Sequence, residues 1–234
     1  MTPRERVLVI GATQGTGLHI VQRLLRDGYV VRVLARDPAR AKEVLAGEVE
    51  IVRGDVTQAN TLAAAMTGVN HVILTAGVTH RPAGERLVRA TVYDGTMHTL
   101  QAARNAGLPG RFLYMSALGT TRGSWLSFLL NRIKGNALEW RRLAAEEIRA
   151  SGLPYTIIRA GILTDAPAGQ RAIEISQNEY PMAPRYRISR ADVAEVFVQA
   201  LRHPETRNAS FDVVSSRGQP RRNWGALFAG LVMD

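Results

Sequence analysis

The sequence predicts a single α/β domain over residues 1–234, with a doubly wound parallel sheet and helices on both faces. Three observations predict this fold class. Short β-branched runs alternate with longer stretches of helical period, which is typical of βαβ units. A glycine-rich loop joins the first predicted strand to the first predicted helix. The 234 residues are 46% hydrophobic and 21% charged, as expected for one globular core.

The first half of the chain contains four predicted strands and four predicted helices. The strands cover residues 7–10, 29–35, 49–53 and 71–74, and the helices cover residues 17–26, 38–45, 58–66 and 87–105. Apolar residues recur at helical spacing through the first helix, which ends at the turn-forming pair Asp27-Gly28. Pro38 begins the second helix, where its missing N–H costs nothing.

The second half adds three predicted strands and three predicted helices. The strands cover residues 112–115, 155–159 and 210–214, and the helices cover residues 135–151, 189–202 and 223–232. Ser189 stands three residues before Asp192, close to a capping box. Residues 117–134 contain two glycines and an apolar run, and residues 162–187 are rich in proline, glycine and polar side chains. We expect both segments to be irregular and to cover the functional site.

The composition excludes several kinds of chemistry. Cysteine is absent, so disulfides, thiolate metal ligands and cysteine nucleophiles are excluded. The histidines form no helical pair and no metal-ligand pattern with carboxylates; they are His19, His71, His80, His98 and His203. We therefore expect no metal. The first residues are polar and the apolar runs are strand-sized, so we expect no signal peptide, no membrane span and a cytoplasmic protein.

The chain is strongly basic, with 30 basic and 20 acidic residues and a formal net charge of +10. Such a balance raises the question of a nucleic-acid or membrane partner. The arginines, however, are spread along the whole chain, and only Lys42 and Lys134 are lysines. Because no basic segment is interleaved with aromatic residues, we expect neither partner.

A glycine-x-x-glycine-x-x-glycine loop follows the first strand directly. It consists of Gly11, Ala12, Thr13, Gln14, Gly15, Thr16 and Gly17. Such glycines turn the chain, let the backbone approach a pyrophosphate and let the helix pack close to the strand. The helix N-terminus supplies free N–H donors to the phosphates. The order strand, loop, helix, strand over residues 7–35 therefore predicts a dinucleotide site; the alternative is that the glycines only shape a turn.

The residue at the end of the second strand indicates which dinucleotide is bound. Sites that prefer NAD place a carboxylate there, whereas this chain has Arg36, whose guanidinium suits the 2′-phosphate of NADP. Arg40 and Lys42 either assist Arg36 or are solvated helix charges. Asp37 leaves binding of NAD(H) possible. We expect NADP(H) to be preferred.

Several short motifs resemble those of a known family. They are Gly54-Asp55-Val56, Thr75-Ala76-Gly77, residues 150–161 (ASGLPYTIIRAG) and residues 188–194 (ISRADVA). Over essentially the whole chain, the sequence resembles the atypical short-chain dehydrogenases/reductases, in particular the NmrA-like and flavin/biliverdin-IX-beta-reductase-like subgroup. The resemblance implies a Rossmann-like fold.

The resemblance also implies roles for individual residues. Asp55 and Val56 would contact the adenine, and Thr75, Ala76 and Gly77 would line the cofactor trough. The nicotinamide would lie near Arg159, Ala160, Gly161 and Ile162. Ser116, at the position of the family's serine, would bind the cofactor or the substrate through a hydrogen bond to either of them. From residue type alone, Ser116 is equally explained as a cap at the strand end, and Arg159 as a charge that reaches solvent.

One departure from the family pattern bears on function. Typical members carry a Tyr-x-x-x-Lys pair that exchanges a proton with a carbonyl, and no tyrosine here has lysine four residues later. Two hypotheses remain. One is an oxidoreductase that transfers hydride from NADP(H) to a conjugated small molecule, such as a flavin, tetrapyrrole or quinone, with Ser116 as the candidate catalytic residue. The other is a non-catalytic redox sensor, regulatory or assembly protein of the NmrA-like type.

An apolar run in the second half allows more than one interpretation. Trp125, Leu126, Phe128, Leu129 and Leu130 form either a substrate lid, a partner-binding patch or part of the core. With a small-molecule substrate as the expected partner, we predict a monomer or a small homo-oligomer.

Overall fold

The computed structural model describes residues 5–78, 84–220 and 223–234. Their strands are β1 (Arg6–Ile10), β2 (Val30–Ala35), β3 (Val49–Arg53), β4 (His71–Leu74), β5 (Phe112–Ala117), β6 (Tyr155–Ala160), β7 (Ile162–Thr164), β8 (Ala172–Ser176), β9 (Arg187–Ser189) and β10 (Ala209–Ser216). Their helices are α1 (Gly15–Arg26), α2 (Pro38–Val44), α3 (Ala63–Met66), α4 (Glu85–Arg89), α5 (Gly95–Asn105), α6 (Trp125–Ile133), α7 (Ala137–Ala150), α8 (Arg190–Arg202) and α9 (Trp224–Phe228).

Eight of these strands form one sheet in the order β3-β2-β1-β4-β5-β6-β10-β8. The first seven run parallel, and β8 pairs antiparallel with β10 at the edge. The strand order reverses between β1 and β4, which is the switch point where doubly wound sheets bind ligands. The predicted doubly wound α/β fold is confirmed, with one antiparallel strand added at its edge.

Each face of the sheet is covered by a separate hydrophobic cluster. On one face, β-strand residues such as Val9 and Ile158 pack with α1, α2, α8 and α9. On the other face, residues such as Tyr114 and Ile157 pack with α3, α5 and α7. Strands that are buried on both faces are nearly continuous apolar runs, and therefore the predicted positions of β1 and β4 agree closely with the structure. The predicted position of β3 also agrees, although β3 is a half-buried edge strand with charged side chains.

Two segments that we expected to be irregular contain regular structure. Residues 125–133 form α6, which begins where the Ser124 hydroxyl accepts a hydrogen bond from the Ser127 amide and donates one to the Met182 carbonyl. Residues 172–176 form β8, whose Ile173 is buried in the core. The prediction of irregular structure was wrong there because a cap to a distant loop and pairing with β10 are tertiary effects.

Two predicted helices are interrupted. Residues 58–66 form a 3₁₀ turn (Ala59–Thr61) followed by the short α3. The long helix over residues 85–105 contains a π-helical turn (Ala90–Asp94) between α4 and α5. Gly95 follows this turn, and a Cβ there would lie 2.8 Å from Cγ2 of Val56. Because Gly95 has no side chain, the helix can pack closely against Val56 in the segment that follows β3.

None of the helices in the described ranges is long and apolar enough to cross a membrane. In the same ranges, no group of three or more histidine and carboxylate side chains is placed to hold a metal ion. His80, one of the five histidines considered above, lies outside the described residues, as do residues 1–4 of the N-terminus.

Candidate functional site

The glycine-rich loop lies at the carboxyl edge of the sheet, between β1 and α1. Gly11 and Gly15 have φ angles of +89° and +56°, which favour glycine. A Cβ on Gly17 would overlap the carbonyl oxygen of Gly11. Gly11 and Gly17 therefore allow the helix to begin directly against the strand. Thr13, Gln14 and Thr16 complete the loop.

The first turn of α1 is suited to bind an anion. The side chain of the N-cap residue, Gln14, makes no capping hydrogen bond to it, and the turn contains no acidic residue. The Thr16 hydroxyl is buried and has no hydrogen-bond partner among the described residues. A helix N-terminus with open N–H groups attracts negative charge. The residues present therefore fit the diphosphate of a dinucleotide.

The turn after β4 packs against this loop. The Thr75 hydroxyl donates to the carbonyl oxygens of Ile10 and Gly11 at 3.1 and 3.3 Å. A Cβ on Gly11 would lie 2.8 Å from the Ala76 amide nitrogen. Thr75, Ala76 and Gly77 thus continue the edge of the sheet next to the loop. The structure brings these two predicted parts of the site together.

Arg36 is exposed at the end of β2, in the position expected for a residue that reads the adenosine ribose. The neighbouring Asp37 caps α2, because its carboxylate accepts a hydrogen bond from the Arg40 amide at 3.2 Å. A carboxylate used in this way is less available to a ribose hydroxyl. The arrangement favours Arg36 as the residue that selects the nucleotide.

Asp55 and Val56 follow β3 at the same edge. The Asp55 carboxylate accepts hydrogen bonds from the amide and the hydroxyl of Thr57, both at 2.9 Å. Val56 is buried, and its carbonyl oxygen lies 2.8 Å from Nδ1 of His98. We define the trough as the groove along the carboxyl ends of β1, β2, β4 and β5. These hydrogen bonds hold Asp55 and Val56 beside the β2 end of the trough, the side predicted for the adenine.

A row of buried polar side chains crosses three neighbouring strands. Ser116 on β5 pairs in register with Arg159 on β6, which pairs with Asp212 on β10. Their exposures are 2%, 3% and 1%. Nε of Arg159 donates to the Asp212 carboxylate at 2.5 Å. Burial raises the pKa of Asp212, although the Arg159 charge opposes the rise.

Two alternatives considered for these residues are wrong. Arg159 does not reach solvent, because it is buried and paired with Asp212. Ser116 does not cap the strand, because its buried hydroxyl has no hydrogen-bond partner among the described residues. An unpaired hydroxyl and a buried ion pair are costly in a core. Such groups concentrate at functional sites.

The remaining predicted nicotinamide residues extend from the end of β6. The Gly161 amide donates to the Val213 carbonyl at 3.0 Å, and the Ile162 amide donates to the Tyr186 carbonyl at 2.8 Å. Ala160 is buried on the opposite face from Arg159. Since β6 lies three strands from β1, these residues and the glycine loop are separated by about 14 Å of sheet edge. The residues at the end of β6 thus lie just beyond the β5 end of the trough, and the glycine loop lies within the trough.

A cavity of about 340 Å³ opens beside the polar row, between the sheet and α7. Its volume is within the range of small-molecule sites. Ser116 and Arg159 form part of its wall, together with Thr120, Arg142, Glu146 and Glu179. The cavity is polar and contains charges of both signs.

Sequence reasoning missed Arg141 on α7. Its Nη1 donates to the Met115 carbonyl at 2.6 Å. Its Nη2 lies 2.9 Å from the position that a Cβ on Gly77 would take. The guanidinium therefore bridges the end of β5 and the turn after β4, inside the trough. A search for lysine alone overlooked it, although a basic residue on the helix before β6 was a visible signal.

The apolar run of α6 divides between two environments. Leu126 and Leu130 pack into a small cluster with Leu118 and Met182. Trp125 and Phe128 are 77% and 68% exposed. One side of α6 is thus core, and the other is an apolar surface.

The fold and the loop together define a class of protein: a Rossmann-type domain whose carboxyl edge holds a dinucleotide. The family model described as NAD(P)H-binding matches residues 11–204. The chain belongs to this family of NAD(P)H-binding oxidoreductases and is an atypical short-chain dehydrogenase/reductase. The resemblance inferred from the sequence motifs is confirmed.

Curated relatives cover most of the chain. An uncharacterized chloroplastic protein of Arabidopsis thaliana is 33% identical over 95% of this chain and 74% of its own length. Sanguinarine reductase of Eschscholzia californica is 29% identical over 95% of this chain and 94% of its own. Photosystem II assembly factor Ycf39 of Cyanophora paradoxa is 29% identical over 90% of this chain and 64% of its own. The named relatives therefore include both a reductase and an assembly factor.

Solved structures share the fold. The anaerobillin reductase ChuY of Escherichia coli O157:H7 superposes with a TM-score of 0.76 at 22% identity, covering 92% of this chain and 100% of that one. A short-chain dehydrogenase/reductase of Veillonella parvula in complex with NADP superposes with a TM-score of 0.72 at 17% identity, covering 92% and 96%. At these identities the likeness shows the fold alone.

The expectation of a cytoplasmic protein is wrong. Four of the relatives, three from Arabidopsis thaliana and one from Pisum sativum, are described as chloroplastic. Polar N-terminal residues and short apolar runs carry no information on the compartment.

Proposed function

We propose that the protein is an NADP(H)-dependent reductase that transfers hydride to a conjugated small molecule without a Tyr-Lys pair. The observation that carries the proposal is that Ser116 and Arg159 lie on the wall of a cavity beside the trough, with Asp212 paired to Arg159 behind them. The names of two similar proteins, a sanguinarine reductase and an anaerobillin reductase, support a conjugated acceptor.

The reaction needs little from the protein beyond binding and orientation. When bound, the reduced nicotinamide supplies a hydride to the acceptor. Negative charge then develops at the far end of the conjugated system, and a proton from water completes the reduction. The Ser116 hydroxyl donates a hydrogen bond to that charge, and Arg159 provides a positive field held in place by Asp212. Arg141 fixes the ends of β5 and β4 around the reacting atoms.

The preference for NADP(H) is part of this proposal. Arg36 is exposed beside the predicted ribose position, and the nearest carboxylate is occupied as a helix cap. A guanidinium binds a 2′-phosphate through paired, charge-assisted hydrogen bonds. NAD(H) lacks this phosphate and binds more weakly.

The test is NADPH oxidation by the purified protein with a panel of flavins, quinones, tetrapyrroles and sanguinarine. We expect turnover of at least one acceptor. Ser116→Ala should reduce kcat by about 10- to 100-fold and leave the Kd for NADPH unchanged. The matched control is Ser215→Ala, because Ser215 lies on the opposite face of the sheet from the Ser116 row and should not affect kcat. Equal loss in both variants would contradict the role of Ser116.

A second function is favoured by one observation. Trp125, Phe128 and Ile133 on α6 are 77%, 68% and 53% exposed, and some relatives are assembly factors. An exposed apolar surface suits a partner protein. Tight binding of NADPH with no turnover across the whole panel would support this nucleotide-binding regulatory or assembly function instead.

We further propose a small-molecule substrate, no nucleic-acid partner, and a monomer or small homo-oligomer. Many arginines are neutralised within the fold: Arg6 and Arg32 pair with Glu50, and Arg142 pairs with Glu139 and Glu146. Positive charges that are already paired contribute less to binding of a polyanion. Binding of duplex DNA that persists above about 200 mM salt would contradict this expectation.

A further inference from the structure

The first residue of α8 lies beside the glycine-rich loop. Both α1 and α8 begin at the carboxyl edge of the sheet and pack against the same face. Arg190 is fixed there because the Ser189 hydroxyl accepts a hydrogen bond from the Asp192 amide at 2.9 Å and donates to its carboxylate at 2.7 Å. The cap is buried, so the start of α8 is rigid.

Arg190 extends over the loop. A Cβ on Gly15 would lie 3.6 Å from both Cδ and Nε of Arg190. The guanidinium therefore lies within van der Waals reach of the residue that begins α1. This is the part of the loop where the open N–H groups attract phosphate.

Within the described ranges, Arg190 forms an ion pair with a carboxylate that is easily displaced. Nη1 of Arg190 donates to Asp165 at 2.6 Å. The Asp165 side chain is 87% exposed, while that of Arg190 is 28% exposed. An ion pair with such an exposed carboxylate is weak. A phosphate held by a helix N-terminus is a stronger partner for a guanidinium.

Asp165 belongs to the segment that covers the site. It follows β7, and the last residue of β7, Thr164, pairs in register with Ser189 just before Arg190. A second contact ties the segment to α8, because the Gly169 amide donates to the buried carboxylate of Asp192 at 2.8 Å. The pair of Asp165 and Arg190 thus connects the cover to the phosphate loop.

We propose that Arg190 binds the pyrophosphate of the dinucleotide and that its ion pair with Asp165 breaks when the nucleotide binds. The proposal rests on the nucleotide binding in the proposed function and adds a residue to that site. Nucleotide binding would then change the contacts at the start of the cover segment, because Asp165 loses its ion pair with Arg190 while the Gly169 amide stays hydrogen-bonded to Asp192 on α8.

The test is a set of binding titrations with NADPH, followed by its fluorescence. Arg190→Gln should weaken NADPH binding by about 10- to 100-fold, as for loss of a charged hydrogen bond. Arg190→Lys should restore part of that loss. The matched control is Arg187→Gln, which removes an equal charge from an exposed residue three positions away and should change the Kd by less than about 2-fold.

A fragment without a pyrophosphate separates a direct contact from a general effect. Adenosine 2′-monophosphate, measured by its competition with NADPH, should bind wild type and Arg190→Gln equally. Thermal unfolding of each variant checks that α8 is intact. Equal losses for the fragment and for NADPH, or equal losses in Arg187→Gln and Arg190→Gln, would overturn the proposal.

Asp165→Asn tests the competing carboxylate. It should tighten NADPH binding by about 2- to 5-fold in wild type and have no effect in the Arg190→Gln background. An unchanged Kd in the single variant would overturn the role of Asp165. If wild type fails to bind NADPH, the proposed function fails; if wild type and Arg190→Gln bind NADPH equally, only the role of Arg190 fails.

Discussion

The buried pair of Arg159 and Asp212 gives a prediction whose size and pH dependence both follow from the structure. Arg159→Met removes the charge that compensates a carboxylate with 1% exposure. Breaking a buried ion pair by removing one partner costs about 3–5 kcal/mol in the free energy of unfolding. We expect a loss of this size near neutral pH.

The loss should shrink as the pH falls. Burial already raises the pKa of Asp212 in the wild-type protein, against the opposing effect of Arg159. Without Arg159 that pKa rises further, so the folded variant takes up a proton at a higher pH than the wild type does. A group with a raised folded pKa contributes most stability below its unfolded pKa and loses it as the pH rises. The difference between the two proteins should therefore decrease by up to about 1.4 kcal/mol for each pH unit between the Asp212 pKa of the variant and that of the wild type, the range in which only the folded variant takes up the proton.

The assay is urea unfolding, followed by tryptophan fluorescence, over a series of pH values between neutral and acid. Asp212→Leu is the matched control, because it leaves Arg159 buried and charged. Arginine stays protonated over this range, so the loss in this variant should not shrink as the pH falls. A pH-independent loss in Arg159→Met would refute the reasoning, since it would show that the unpaired carboxylate is not the source of the cost.

Three further predictions concern the cofactor loop and the fold. Arg36→Glu should weaken NADPH binding by at least about 10-fold and NADH binding much less; calorimetry showing equal losses would exclude a contact with the 2′-phosphate. Gly17→Ala should reduce both stability and NADPH affinity, because its Cβ would overlap the Gly11 carbonyl; a variant that binds normally would show that the loop tolerates expansion. Burial acts to raise the pKa of Asp234, but hydrogen bonds from Ser210 and Arg149 outweigh it and lower that pKa. The carboxylate therefore stabilises the fold above its ordinary pKa and loses this effect as the pH falls further, so the stability difference from Asp234→Asn should vanish in acid urea titrations; a difference that persists there would contradict the pKa direction.

Local sequence information was sufficient for the fold class and for the phosphate loop. Buried parallel strands are continuous apolar runs, and helices carry a period of 3.6 residues, so β4 was predicted with its observed bounds. The β-branched residues of the edge strand β3 were sufficient to predict its bounds as well. Gly17 lies against the carbonyl of Gly11, a few residues earlier in the chain, so its role is readable from the spacing of the glycines. The role predicted for Arg36 followed from its position directly after β2 in the sequence.

The tertiary structure decided everything that depends on which distant residues become neighbours. Arg159 and Asp212 are 53 positions apart in the chain, and only the order of β5, β6 and β10 places them in one row with Ser116. The same holds for α6, whose cap reaches Met182, and for Arg190 over Gly15. Periodicity reports which side of a strand or helix is buried. It does not report which strand lies beside another, because that depends on crossover connections and on packing across the whole sheet.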